Sequence, residues 1–300
     1  MKAMILAAGL GTRLRPLTSH KPKPLVPIGN RPLIDRLIQY LKEYGIEEVI
    51  INAHHHHQQV VEYLDGGRPF GIDIEVRVEP EILGTGGGIK NTEDFWDTDP
   101  IIIINGDILT DIDLSKALGA HRRDGSLATL IVHNCKPFNQ IRINNDMDIV
   151  DIASENLPDR LAFTGIHIIQ PEFLEYIPQG IFSNIIDCYR ELIKEGKPIR
   201  AHLSNGHYWR DIGTVDSYIL ANKESLQEGL FLLGPNCKIH KSSRLKEWAI
   251  IGRNTYLEEG VEIRRSILWE GVIVRRETKI VDGIITSSQE VKQDLVDDIY

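Results

Sequence analysis

Residues 101–107 read IIIINGD, four consecutive isoleucines and then a turn that ends on an aspartate. A β-branched run that is apolar on both faces suits a central parallel strand, because helices cover both sides of such a sheet. Asn105-Gly106-Asp107 then sets a carboxylate just past the carboxyl end of that strand, where doubly wound sheets bind ligands. Working outward, residues 2–7 (KAMILA) and 48–53 (EVIINA) are two more short apolar runs, and 73–78 (DIEVRV) alternates with period two. Both patterns predict strands. Residues 32–44 place Leu33, Ile34, Leu37, Ile38 and Leu41 on one helical face, with Asn30 and Pro32 where a helix start wants them. Strand-like and helix-like stretches alternate to about residue 228. This predicts an α/β domain with a Rossmann-like, doubly wound, mostly parallel sheet over residues 1–228.

The texture changes near residue 234. Gly229, Gly234 and Pro235 mark a linker. Beyond it, Ile251, Leu257 and Ile263 fall six residues apart, and Val274 and Ile280 repeat the spacing. A six-residue apolar period predicts a small parallel β-helix over 234–288, three coils at most. Residues 289–300 are expected to be a polar cap or short helix. Trp248 and Trp269 are expected on the outside of the coil, as parts of a contact surface that makes the protein a homo-oligomer.

Composition narrows the function. Of 300 residues, 42% are hydrophobic and 26% charged, enough for a sizeable core. The net charge of −9 argues against nucleic acid or an anionic membrane as partner. Three cysteines, Cys135, Cys188 and Cys237, form no C-x-x-C pair and read as inert thiols. The opening MKAMILAAG is broken by glycine too early for a signal or membrane helix, so a cytoplasmic protein is expected.

The densest chemistry lies in LAAGLGTRLRPLT (6–18) and KPKPL (21–25). A buried strand ends at Ala7-Ala8-Gly9, whose small side chains let a base or phosphate approach the backbone. Gly9 and Gly11 permit a tight loop whose N–H groups can face phosphate oxygens. Arg13, Arg15, Lys21 and Lys23 concentrate positive charge in a short part of an acidic chain. Phosphoryl chemistry needs such charge in the transition state. The third glycine of the dinucleotide fingerprint would fall at Leu14, and no G-x-x-x-x-G-K-[ST] occurs, so neither common phosphate motif applies. Thr85 to Gly88 offers a second stretch of open backbone at a helix start. Asp107, unpaired, would be costly unless it held a cation. His54 to His57 cannot all point one way and read as a solvated loop, Asn134 to Asp148 reads as a hairpin turning at Asn144-Asn145, and Trp209 reads as core.

LAAGLGTRLRPLT followed by KPKPL resembles the signature of the sugar-1-phosphate nucleotidylyltransferases, and the hexad region is similar to a C-terminal extension that many members carry, a left-handed parallel β-helix. The resemblance implies transfer of a nucleotidyl group from an NTP to a sugar 1-phosphate with Mg²⁺ as cofactor. It implies Leu6, Ala7, Ala8, Gly9, Gly11 and Thr12 against the nucleotide, and Arg13 and Lys23 as catalytic cations. Glu79, Gly84 and Thr85 of EPEILGTGGG (79–88) match the family's base- and ribose-proximal loop. Asp107 of NGD and Asp211 of WRDIGT (209–214) match the metal aspartates. Thr164 and Gly165 match the strand that meets the sugar. The family's E-K-P motif, whose lysine contacts the sugar phosphate, is missing from SENLPDRLAFTGIHII (154–169). Lys23 is the first candidate to replace it, ahead of Arg142 and Arg160. The pattern is closer to the branches acting on N-acetylmuramic acid 1-phosphate with UTP and on heptose or mannose 1-phosphate with GTP, and the acceptors it implies are mannose, heptose, glucose or N-acetylmuramic acid 1-phosphate with GTP or UTP. A non-catalytic regulatory subunit of the same fold and a phosphocholine-type cytidylyltransferase are the rival readings.

Overall fold

The computed structural model describes all 300 residues, Met1–Tyr300. They divide into two compact units. One holds Met1–Leu10, Pro22–Pro24 and Ile34–Asp211; the other holds Gly11–Lys21, Leu25–Leu33 and Ile212–Tyr300. The units therefore do not follow a single break near 228–234.

The first unit is built on a nine-stranded sheet. In chain order its strands are β1 (Lys2–Leu6), β2 (Glu48–Ala53), β3 (Asp73–Val78), β4 (Ile101–Asn105), β5 (Ala128–His133), β6 (Asn139–Ile143), β7 (Ile149–Ile152), β8 (Leu161–Ile169) and β9 (Ile199–Leu203). β1 lies between β2 and β4, parallel to both, and β3 adds a parallel edge beside β2. Ile102, Ile103 and Ile104 of β4 are fully buried, as a strand covered on both faces must be. The sheet is more mixed than the sequence suggests: β8 runs antiparallel to β4, β5 and β6. β9 is parallel to β5. The hairpin of β6 and β7 turns where Asn144 Oδ1 accepts from the N–H groups of Asp146 and Asp148.

The helices are α1 (Leu33–Glu43), α2 (His57–Leu64), α3 (Gly84–Lys90), α4 (Leu114–Asp124), α5 (Ile185–Lys194) and α6 (Val215–Glu224). α5 carries its apolar stripe, Ile185, Cys188, Tyr189 and Leu192, into one core cluster with Leu130, Val132 and Ile103. No helix is long and apolar enough to cross a membrane.

In the second unit, short strands stack in parallel ladders. Lys238–Ile239, Tyr256–Leu257, Ile273–Val274 and Glu290–Val291 form one. Phe231–Leu233, Arg244–Ile251, Glu262–Leu268, Lys279–Val281 and Leu295–Val296 belong to the other. The spacing is about three hexads per coil, as in a parallel β-helix. Ile251, Leu257, Ile263, Val274 and Ile280, the hexad residues, are all fully buried. Two expectations about the coil's extent need correction. The first ladder is four strands deep, so the coil exceeds three turns. The last residues continue both ladders instead of forming a cap or helix, because Val291 and Leu295 supply further inward apolar side chains. Trp269 is also not exposed: it is 2% accessible, and its indole N–H donates to Tyr218 Oη of α6 at 2.8 Å. Trp248 is half-buried. Asn30 Nδ2 donates to the Ile251 carbonyl at 2.9 Å.

Candidate functional site

At the carboxyl end of β4 the chain turns through Gly106, whose N–H donates to the carbonyl of Leu6 at 2.8 Å. The end of β1, where the glycine-rich loop begins, is thereby tied to the NGD turn. Residues 108–110 then pair antiparallel with 209–211, and Asp211 stands opposite Ile108. This register makes Asp107 and Asp211 neighbours although they lie far apart in sequence. Lys23 completes the group: its Nζ lies 2.7 Å from Asp107 Oδ2. Asp107 is thus not the unpaired carboxylate that the sequence suggested. Two carboxylates make an all-oxygen donor pair suited to a hard divalent cation, which takes its remaining ligands from phosphate and water. No cluster of three or more His, Cys, Asp or Glu gathers in the chain.

Gly165 of β8 borders the same turn. Its φ is +79°, and an added Cβ would sit 2.6 Å from Asn105 Nδ2. The glycine is there because the Asn105 side chain occupies the space a Cβ would need. Thr164 beside it is fully buried, and its hydroxyl donates to the Ile131 carbonyl at 2.8 Å. Its side chain therefore faces into the sheet. The Thr164 carbonyl accepts the indole N–H of Trp209 at 2.7 Å. Trp209 is half-buried, edge-on to His133 and Phe138, so it is not simply core.

The EPEILGTGGG loop is held from within. The Ala7 N–H donates to Asn52 Oδ1 at 2.7 Å, and Asn52 Nδ2 donates to Glu79 Oε1 at 2.7 Å. Glu79 Oε2 accepts from the Leu83 N–H at 3.1 Å. Glu79 is 1% exposed with both oxygens engaged, so its carboxylate is turned inward and shapes the loop. Sequence reasoning missed Asn52, which joins the two loops; the available signal was a lone amide in the apolar run EVIINA. The backbone of Gly86 and Gly87 is likewise not open to a ligand. Both N–H groups donate to the Ser183 carbonyl, at 2.8 and 3.3 Å, and the Ser183 N–H donates to Leu83 O. Thr85 Oγ1 accepts from the Ile185 N–H at 2.9 Å. The glycines admit segment 181–185 and, at Gly88, the Asn52–Glu79 pair, which a Cβ would meet at 2.7 and 2.9 Å.

The reserve cations separate. Arg160 is spent on Asp151 at 2.6 Å and on the Gln140 carbonyl, while Arg142 is exposed on β6. His54 to His57 are half-buried; His54 Nδ1 pairs with the Glu79 carbonyl oxygen at 2.8 Å, and α2 starts at His57.

Within the second unit, Gly11 (φ +63°) opens a single 3₁₀ turn, Thr12–Leu14, that leaves Arg13 exposed. Leu14 and Leu17, both 1% accessible, anchor it, and Thr18 Oγ1 donates to the Gly11 carbonyl at 2.8 Å.

Residues 2–228 match the family model described as nucleotidyl transferase. The chain is 27% identical to a UTP–glucose-1-phosphate uridylyltransferase from Synechocystis sp., over 95% of this chain and 87% of that protein. It is 32% identical to an N-acetylmuramate alpha-1-phosphate uridylyltransferase from Neisseria meningitidis serogroup B, over 72% of this chain and 94% of that one. A crystal structure from Bacillus anthracis, described as a glucose-1-phosphate thymidylyltransferase in complex with sucrose, superposes with a TM-score of 0.68 at 26% identity, covering 76% of this chain and 96% of that one.

Proposed function

Because the chain belongs to the nucleotidyl transferase family, we propose that it transfers a nucleotidyl group from an NTP to a sugar 1-phosphate and releases pyrophosphate. The observation that carries this reading is the grouping of Lys23, Asp107 and Asp211 at the end of β4. A phosphate oxygen of the sugar phosphate attacks the α-phosphorus in line; the bond to the β-phosphate oxygen breaks, and pyrophosphate leaves. The nucleophile is already anionic, so no general base is required. Catalysis is positioning and charge neutralisation.

In this reading Lys23 neutralises phosphoryl oxygens shared by donor and acceptor, and Arg13 meets the leaving pyrophosphate. The backbone from Leu6 to Gly9, with Gly11 and Thr12, lies against the nucleotide. Asp107 and Asp211 would hold a divalent cation, Mg²⁺, which would supply further positive charge to the phosphate oxygens. Glu79 and Asn52 fix the loop around Gly84 without touching the base. Gly165 lines the acceptor side. The names of the relatives support a hexose-type 1-phosphate acceptor, among them glucose and N-acetylmuramate. A cytoplasmic homo-oligomer belongs to the same reading, with the exposed Leu230, Phe231 and Leu233 at the first strand of the coil as contact; light scattering tests it.

The experiment is a pyrophosphate-release assay of the full chain over five NTPs and a panel of sugar 1-phosphates with Mg²⁺. One NTP and one sugar phosphate should stand out. Release with phosphocholine alone, or nucleotide binding with no release on any acceptor, would replace this reading with one of its rivals.

A further inference from the structure

All the catalytic motifs lie before residue 215, so the sequence assigns residues from about 234 onward to assembly and regulation. The contacts of Lys21 say otherwise. Lys21 belongs to KPKPL, two residues before Lys23, yet its Nζ is bound to Glu270 Oε1 at 3.1 Å. Ser287 Oγ, from the next turn of the coil, donates to the same oxygen at 3.1 Å. The ammonium also stands 5.7 Å from the centroid of the Trp269 ring, within cation–π range. Trp269 is itself fixed by Tyr218, which is fully buried. Lys21 is therefore not a spare phosphate cation: its charge is already used on the coil.

The attachment has two further points. Asn30 Nδ2 donates to the Ile251 carbonyl, and the Gly29 N–H donates to Asn222 Oδ1 at 3.0 Å inside the second unit. The Gly11–Lys21 and Leu25–Leu33 segments thus pack as part of the same unit as the coil. A half-buried carboxylate costs free energy unless a cation compensates it. Lys21 does so here, and together with Ser287 and Arg253 it holds the Glu270 carboxyl below the usual carboxylate range against the opposing effect of burial.

We propose that the coil takes part in nucleotidyl transfer by positioning: Glu270, backed by Trp269 and Ser287, anchors Lys21 and so sets the Gly11–Lys21 segment that presents Arg13. This rests on the proposed function for the role of Arg13, and its chemistry is a positioning one, since Glu270 touches no substrate. Phosphoryl transfer is sensitive to such placement, because a shift of about 1 Å in a charge-neutralising group can cost about 100-fold in rate.

The test uses the full chain with Glu270→Ala, Glu270→Gln, Lys21→Met, the Lys21→Met/Glu270→Ala double variant and the swap Lys21→Glu/Glu270→Lys. Glu262→Gln, which breaks the coil-surface pair Lys246–Glu262 at 2.7 Å, is the control. Steady-state KM and kcat are read with affinity for a fluorescent NTP analogue and the melting temperature. Each single variant should lose about 10-fold in kcat/KM for the NTP. The double variant should be no worse than either single, as expected for a coupled pair. The swap should recover most of the loss, and Glu262→Gln should match wild type. Additive losses, a swap that recovers nothing, or folded Glu270→Ala with unchanged kinetics and nucleotide affinity would overturn the proposal. If Glu270→Ala does not fold, Glu270→Gln, which keeps the side-chain shape and its hydrogen bond with Ser287, decides. If the wild type releases no pyrophosphate, the proposed function fails separately, and the NTP-analogue affinities alone decide on Glu270.

Discussion

Lys23 Nζ lies 2.7 Å from Asp107 Oδ2, and both side chains are largely shielded, with 13% and 27% of their surfaces accessible. An opposite-charge pair so placed holds each partner in one orientation. Lys23→Met and Asp107→Asn should therefore each impair turnover strongly, and the double variant should fall well short of the summed losses. A double-mutant cycle on kcat/KM measures the coupling; strictly additive losses would mean that the pair does not act as a unit.

Asp107→Asn and Asp211→Asn should each lower kcat by about two orders of magnitude or more, as when a cation's charge stabilisation is lost. Asp107→Asn should also lower the melting temperature, because it leaves the shielded Lys23 ammonium without its partner. EDTA should abolish wild-type activity and excess Mg²⁺ restore it. A near-normal rate in either variant would remove that residue from the metal site.

Arg13→Ala and Lys23→Ala should differ in kind. Arg13 is exposed on its 3₁₀ turn, so its loss should lower kcat with little effect on KM for the sugar phosphate. Lys23→Ala should also raise that KM. An unchanged KM in Lys23→Ala would redirect attention to Arg142, since Arg160 is bound to Asp151.

Gly165→Ala forces a Cβ to within 2.6 Å of Asn105 Nδ2 at a φ of +79°. The expected cost is about 2 kcal/mol, read as a lower urea midpoint at constant m-value. Activity should fall more than stability implies, because Asn105 belongs to the turn that carries Asp107. Full stability would show that Asn105 relaxes freely.

Stability should decline in acid through His121. Its ring is buried on α4, with Nδ1 against the Thr129 and Ser126 hydroxyls and Nε2 against the Gln170 amide. Burial, helped by the charge of Arg122 and opposed by Asp124, lowers its pKa to about 4 from the ordinary 6.5. The folded state thus favours the neutral ring, and the unfolded state takes up the proton first. The stability that His121 contributes is fully present above about pH 6.5 and is lost as the pH falls towards 4. Melting temperature against pH should show this decline, and His121→Gln should flatten it in that window.

Much of this was legible in the residues. The isoleucine run gave β4 its place because only a strand covered on both faces tolerates it, and the hexads marked the inward residues of the coil. The basic, glycine-rich loop could be read because its chemistry is local. What stayed hidden depends on non-local pairing. No sequence spacing shows that Ser183 would take up the N–H groups of Gly86 and Gly87, so a loop that looked open to an anion is closed by another segment. Thr164 and Gly165 are adjacent in the motif, yet the threonine hydroxyl is buried against the Ile131 carbonyl while the glycine borders the Asn105 side chain. Trp269 looked like a surface aromatic because its partner, Tyr218 of α6, lies 51 residues upstream.

The second unit is discontinuous in sequence, since Gly11–Lys21 and Leu25–Leu33 pack with Ile212–Tyr300. On the ribosome, domains generally fold as they emerge, amino-terminal first. Here that order is broken: the segment bearing Arg13 leaves the exit tunnel early and has no partner for Lys21 or Asn30 until Ile251 and Glu270 have been synthesised. A ribosome that stops before the coil is complete therefore releases a product in which Lys21 and Asn30 lack these partners.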